Sequence, residues 1–184
     1  MDNLPEKKKH AAFWDQFVAF ANKTSDLTGI AAAYLLVPLV LVFLIEIVSR
    51  NLFNHPTVWA YGTCFMIGGS SAVLGFAYAM KNGAMVRIDA FSSKLPEKAH
   101  CILDLALYAV LFLPLTVGGS YECLKNAVSS TASFEMLSTG SWSAPIWPVK
   151  IIMALSMIIL TLQGLAEIVS LVQRLRALRE EGAK

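Results

Sequence analysis

The sequence is poor in the residue types that build most catalytic centres. Its 184 residues include only three cysteines and three histidines, and charged residues make up 15% of the chain. Cys64, Cys101 and Cys123 show neither redox nor metal-ligand spacing, so we interpret them as ordinary small apolar residues. The cysteines therefore give no support to a redox or metal-binding function.

The histidines and the loops argue against an enzyme. His10, His55 and His100 lie at or outside the ends of apolar segments, so two imidazoles cannot face each other across a helix bundle to ligate haem. The connecting segments contain no glycine-rich phosphate loop with lysine, no metal-spaced histidine pair and no nucleophile with an evident base. We predict a protein that is not an enzyme, with no catalytic residue, no cofactor and no metal site.

Apolar residues dominate instead, at 56% of the sequence with a mean hydropathy of +0.58. Four long apolar segments occupy residues 29–49, 58–80, 101–124 and 146–171. Each is near or above the ~20 residues that cross ~30 Å of hydrocarbon as a helix. The sequence predicts an all-α integral membrane protein with one four-helix transmembrane domain over residues 29–172, an N-terminal segment of residues 1–28 and a tail of residues 173–184.

Basic residues are segregated among the gaps between these segments. Twelve of the fifteen Lys and Arg residues lie before the first segment, between the second and third, or after the fourth, and each other gap holds one. The positive-inside rule then places both termini in the cytoplasm. The first 25 residues are too polar for a signal peptide, so we expect no cleavage.

Phe13, Phe17 and Phe20 recur at helical spacing among polar residues before the first span. This pattern favours an amphipathic interfacial helix on the cytoplasmic face, and the alternative is a cytoplasmic extension of the first span itself.

The first two spans are predicted to be antiparallel neighbours, because only a short turn, residues 50–56, joins them. The second span permits close approach of another helix, within the chain or outside it, through its small residues. These residues are Gly62, Gly68, Gly69, Ser70, Ser71, Ala72 and Gly75.

The connections between spans, and one kink, are predicted from residues that interrupt helices. Asn82-Gly83 indicates a turn, and residues 126–145 form a longer outer connection rich in Ser, Thr and Gly. Within the third span, Gly118-Gly119 after Pro114 indicates a local kink.

Ionisable residues near the spans crowd toward the two surfaces. Glu46, Arg50, Glu122 and Lys150 are predicted to form an outer-leaflet charge cluster, whereas Asp104 and Glu167 lie nearer the inner surface. Such a cluster is either an ion or proton site or a structural network of paired interfacial charges. We favour the structural interpretation, because none of these groups is placed at mid-bilayer.

The order of certain residues resembles a known family, the small membrane subunit of TRAP transporters, the tripartite ATP-independent periplasmic systems. The matching positions are Arg50, Phe53, Asn54, Pro56, Trp59, Gly83, Arg87, Ile88, Asp89, Trp142, Pro145, Trp147, Lys150 and Gln163. The resemblance implies a scaffold subunit in the bacterial inner membrane. It further implies a large multi-span partner subunit with the sodium and substrate sites, and a periplasmic binding protein that captures an organic acid.

On this resemblance the positions expected at subunit interfaces or in architectural roles are Arg50, Trp59, Arg87, Asp89, Trp147 and Lys150. One departure is that Ala60-Tyr61-Gly62 follows Trp59, where many relatives carry acidic residues. Membrane lipids are also expected partners, and nucleic acid is not. Two alternatives stay open: a small proton-coupled exporter using Glu46, and a membrane anchor for a redox enzyme.

Overall fold

The computed structural model describes residues 4–83, 97–139 and 142–181. Within these ranges four helices are long and apolar enough to cross a membrane, which confirms the predicted all-α, four-span class. The elements, in chain order, are α1 (Leu4–Leu52), α2 (Ala60–Lys81), α3 (Glu97–Leu107), a π-helical segment (Tyr108–Phe112), α4 (Leu113–Ala132), β1 (Met136–Thr139), β2 (Trp142–Pro145) and α5 (Trp147–Glu181).

Helix α1 corrects the prediction of a separate interfacial helix. Its 49 residues form one unbroken α-helix, so the aromatic segment is an extension of the first span. At ~1.5 Å per residue the helix is roughly 73 Å long, well beyond the ~30 Å of hydrocarbon. No proline or glycine lies between Phe20 and Gly29 to end the helix. Ala21 and Ser25 in this extension are buried within the protein.

The third span is one long helix with a π-helical irregularity inside it. Pro114 has no backbone N–H for the carbonyl of Val110, and Leu113 donates instead to the carbonyl of Tyr108, five residues back. The irregularity therefore lies one turn before Pro114, and not at Gly118-Gly119 as the sequence predicted.

The connection between the third and fourth spans is more ordered than the sequence suggested. Helix α4 continues to Ala132, and β1 and β2 then form an antiparallel hairpin in which Met136 is opposite Pro145 and Thr139 is opposite Trp142. Gly140-Ser141 separates two short segments in the sequence, and such a pair is a hairpin signal that could have predicted these strands.

The bundle has two ends, which we name by their elements. The hairpin end consists of β1, β2 and the connection between α1 and α2. These elements lie at one end of the bundle, since the ring of Trp142 packs over Gly62 in the first turn of α2. The terminal end carries the start of α1 and the end of α5, where Gln173 donates a hydrogen bond to Asp15 at 3.1 Å. Gly83 adopts φ +64°, which confirms the turn predicted after α2.

Helix α5 is the centre of the packing. It contacts α1, α2, α3 and α4, while α1 also packs against α2 as predicted. Ala77, Met80 and Leu160 form a buried cluster between α2 and α5, and Phe112 packs against it. The apolar middle of α1 is the most exposed of the four spans, so most of its surface is left for lipid or for a partner protein.

Candidate functional site

A buried polar network joins α1 to α5 toward the terminal end. Ser25 donates a hydrogen bond from Oγ to Gln163 Oε1 at 2.8 Å, and Gln163 Nε2 donates to Asn22 Oδ1 at 3.0 Å. Gln163 is only 2% exposed and Ser25 is fully buried. Asn22 and Ser25 are three residues apart and so share one face of α1. An amide bonded in both directions fixes the relative position of the two helices, because any slip leaves buried polar groups unpaired.

Other polar side chains also bond helix to helix. Ser71 donates to a backbone carbonyl of α1 at 3.0 Å, and the hydroxyls of Ser120 and Thr161 lie 3.0 Å apart between α4 and α5. At the end of α2, Lys81 Nζ lies 2.5 Å from Asp26 Oδ1 on α1. These polar side chains therefore connect one helix to another.

Glu46 and Arg50 lie together at the hairpin end. Arg50 Nη2 is 3.5 Å from Glu46 Oε1, and the other carboxylate oxygen accepts hydrogen bonds from the backbone N–H and the hydroxyl of Thr57. Glu46 thus ties the last turns of α1 to the connection that leads into α2. The Arg50 side chain is 68% exposed, whereas that of Glu46 is 21% exposed.

Lys150 pairs with a residue that sequence reasoning missed. It lies in the first turn of α5, and its ammonium group contacts the carboxylate of Glu135, just before β1. The backbone N–H of Ile146 donates to the carbonyl of Glu135 at 3.1 Å. The Lys150 ammonium holds the pKa of the Glu135 carboxyl below its ordinary value. This pair closes the base of the hairpin onto α5. The sequence did not indicate Glu135 as a partner because this residue lies outside every apolar segment.

The predicted cluster of four outer charges is wrong as a single cluster. Glu122 is exposed and belongs to neither pair. Two residues before Glu122, the Ser120 hydroxyl contacts the hydroxyl of Thr161 on α5. Leu160, next to Thr161 in the sequence, packs against Met80 near the end of α2. Because α4 extends ten residues past Glu122 to Ala132, the backbone of Glu122 lies about 15 Å from the helix end. The sequence grouped Glu122 with the outer charges because it ended the span at residue 124, whereas the helix continues to Ala132.

The remaining candidate positions have separate surroundings. Trp59 precedes α2 as its N-cap residue, and its carbonyl accepts hydrogen bonds from the N–H and hydroxyl of Thr63. Trp147 begins α5 and is half-buried. Arg87 and Asp89 lie outside the described residues, so their predicted roles in the inner loop stay predictions.

Near the start of the third span, His100 Nδ1 lies 3.1 Å from Asp104 Oδ2. Over the part of the chain that the structure describes, no group of three His, Cys, Asp or Glu residues could hold a metal ion.

The small residues of α2 divide between packed and open positions. A Cβ atom at Gly62 would lie 2.6 Å from the ring of Trp142, whereas nothing lies within 4 Å of the Cβ position at Gly69 or Gly75. Part of this face therefore packs within the chain, and part of it stays open.

Comparison with known proteins gives a family for this arrangement. The model of the DctQ component of tripartite ATP-independent periplasmic transporters matches residues 39–174, which include α2, α3, α4 and most of α5. The chain belongs to this family. The DctQ-type chain is also similar to the sialic acid TRAP transporter small permease protein SiaQ of Vibrio cholerae serotype O1. The two are 28% identical over 121 residues, covering 64% of this chain and 69% of the relative.

The family confirms the resemblance seen in the sequence. This DctQ-type chain is the small permease subunit of a TRAP transporter, a multi-pass protein of the inner membrane, and not an enzyme. Gln163, Ser25 and Asn22 are the residues that sequence reasoning did not connect. Their signal was a polar pair at helical spacing in α1 and a lone amide inside an apolar span.

Proposed function

We propose that this DctQ-type subunit is a fixed scaffold for the large multi-span subunit of its transporter. The observation that carries the proposal is the use of polar side chains between helices, above all Gln163 bonded to both Asn22 and Ser25. Bonds of this kind hold the four spans in one arrangement. The sodium and substrate sites would then belong to the large subunit, which moves against this fixed part.

The proposed orientation places the terminal end in the cytoplasm. The basic residues support it, since twelve of the fifteen lie in the gaps assigned to that side. Two separate polar pairs, Asp15 with Gln173 and Asp26 with Lys81, lie toward this end of the bundle, which agrees with a polar surface there. The hairpin end would face the periplasm, where the substrate-binding protein delivers its cargo.

The proposed substrate is an organic acid brought in with sodium. The relative from Vibrio cholerae is named for sialic acid, which carries a carboxylate and so belongs to this class. The small subunit has no part in choosing the substrate on this proposal, because the periplasmic protein captures it. The small subunit instead adds area and rigidity to the membrane complex.

Co-expression with the large subunit tests the scaffold directly. We expect a tag on this chain to recover a stoichiometric complex with the large subunit. Proteoliposomes should take up the organic acid only when both subunits, the binding protein and a sodium gradient are present. The chain reconstituted by itself should transport nothing. Uptake or proton-driven efflux by this chain alone would overturn the proposal and favour the small exporter.

Glu46→Gln separates a structural carboxylate from an ion site. The neutral amide weakens the pairing with Arg50 and the two hydrogen bonds from Thr57, so we expect the melting temperature of the purified complex to fall by a few degrees. The sodium concentration for half-maximal uptake should stay unchanged. Glu122→Gln, which removes an exposed carboxylate, is the matched control and should alter neither value. Normal melting together with a changed sodium or proton response would assign Glu46 to ion coupling.

A further inference from the structure

A groove with a volume of about 410 Å³ lies between α1 and α2 at the hairpin end. This is within the usual size range of pockets for small ligands. Its walls are apolar and mostly aromatic, and its rim carries an acid and a base. The walls include Phe43, Tyr61, Cys64 and Phe65, and the rim is formed by Glu46 and Arg50.

Arg50 has N–H donors at this rim that its ion pair with Glu46 does not use. A guanidinium group has five N–H donors, and the ion pair with Glu46 engages one nitrogen at 3.5 Å. Glu46 itself is held by Thr57, so the carboxylate cannot turn to satisfy the rest of the guanidinium. The 68% exposure of the Arg50 side chain leaves these donors directed toward the surroundings of the bundle. A phosphate group accepts hydrogen bonds from arginine in two-pronged geometry.

The position of the groove relative to the headgroups favours a lipid as the source of that phosphate. Arg50 lies in the last turn of α1, and Trp59, 37% exposed, precedes α2 at the same end. Tryptophan and arginine at the ends of spans lie at the level of the headgroups. Tyr61 and Phe65, 71% and 60% exposed, continue from there along α2 toward the bilayer interior. A cation at headgroup depth above an aromatic groove matches the shape of a phospholipid.

We propose that this groove binds one glycerophospholipid from the leaflet at the hairpin end. Its phosphate is held by Arg50, and one acyl chain lies along Phe43, Tyr61 and Phe65. A second groove, between α4 and α5, supplies a contrast, because none of its lining residues is charged. It offers apolar contact without a group that recognises phosphate.

Native mass spectrometry of the purified, delipidated chain tests the proposal. The probes are dioleoyl phosphatidylglycerol and dioleoyl glycerol, which share acyl chains and differ in the phosphate-containing headgroup. We expect the wild type to retain one phosphatidylglycerol and to bind dioleoyl glycerol far more weakly. Arg50→Gln should weaken retention of phosphatidylglycerol about tenfold, because charge-assisted hydrogen bonds to phosphate are lost. Arg50→Lys, which keeps the charge, should recover part of the binding.

Lys125→Gln is the matched control, because it also removes one exposed basic side chain but lies on α4, away from the groove. It should bind phosphatidylglycerol as the wild type does. Cys64→Leu keeps Arg50 and fills the groove, so it should weaken binding by a separate route. Equal retention of the two probes, or equal retention by wild type and Arg50→Gln, would overturn the proposal. Loss of the large subunit from Arg50→Gln with unchanged lipid binding would overturn it too, and would assign the groove to that subunit.

Discussion

Replacing Gly29 with alanine is expected to destabilise the bundle by about 1–3 kcal/mol, the usual cost of an added methyl group in a tightly packed contact. A Cβ atom at Gly29 would lie 2.5 Å from Tyr78 Cγ and 2.8 Å from Tyr78 Cβ. The Cβ atom of Tyr78 is fixed to the backbone of α2, so the tyrosine cannot escape by rotating its ring. Helix α2 itself must move away from α1. A thermal melt of the detergent-purified chain measures the loss.

Gly69→Ala is the matched control for this steric prediction. Nothing lies within 4 Å of the Cβ position at Gly69, so the added methyl group meets no neighbour. Alanine also favours a helix over glycine by about 1 kcal/mol, a gain that Gly29→Ala shares and that its steric clash with Tyr78 outweighs. The control should therefore melt at the same temperature as the wild type or higher. Equal melting of the two variants below the wild type would show that general helix effects, and not the contact with Tyr78, set the result.

Gly29 also shows where sequence reasoning reached its limit. The small residues of α2 were visible as a group, and of these Gly68 and Ser71 contact α1, whereas Gly69 and Gly75 face open space. Hydropathy does not show that Gly29 on α1 and Gly164 on α5 receive Tyr78 and Phe112, respectively. Which face of one span meets which face of another depends on helix rotation, and an apolar segment in lipid tolerates many rotations.

The positions of individual residues along the helices were predicted less well than the existence of the four spans. Apolar content fixes where a helix can enter hydrocarbon, but polar residues often continue the same helix beyond that point. This happened at the start of α1 and at the end of α4. As a result Glu122 was grouped with the outer charges, although α4 continues ten residues past it to Ala132. Lys150 was grouped with distant charges, whereas its partner is Glu135 in the adjoining connection.

The pair of Glu46 and Arg50 shows the opposite case. Their spacing of one helical turn was enough to predict that they lie together, since residues four apart share a helix face. The hydrogen bonds from Thr57 were not predictable in the same way, because they depend on the path of the chain between α1 and α2. Local pairs within one element follow from sequence, whereas pairs across a connection need the fold.

Replacing Gln163 with leucine is expected to destabilise the bundle by about 1–2 kcal/mol. The leucine removes two hydrogen bonds and leaves the buried Ser25 hydroxyl without its acceptor. Hydrogen bonds between membrane helices average about 0.6 kcal/mol with a maximum near 1.7, and an unsatisfied buried group adds to that loss. Gln173→Leu is the matched control, because its exposed amide contacts Asp15 at the surface and should matter little.

A double-mutant cycle separates the Gln163 network from simple packing loss. Ser25→Ala and Gln163→Leu remove opposite ends of the same hydrogen bond, so the double variant should lose less stability than the sum of the two single variants. If the network also fixes the scaffold, uptake by the complete transporter should become heat-labile while its sodium dependence stays unchanged. Strict additivity would mean that the two side chains stabilise the bundle independently. A changed sodium dependence would mean that this network, at the contact of α1 with α5, is coupled to the transport site.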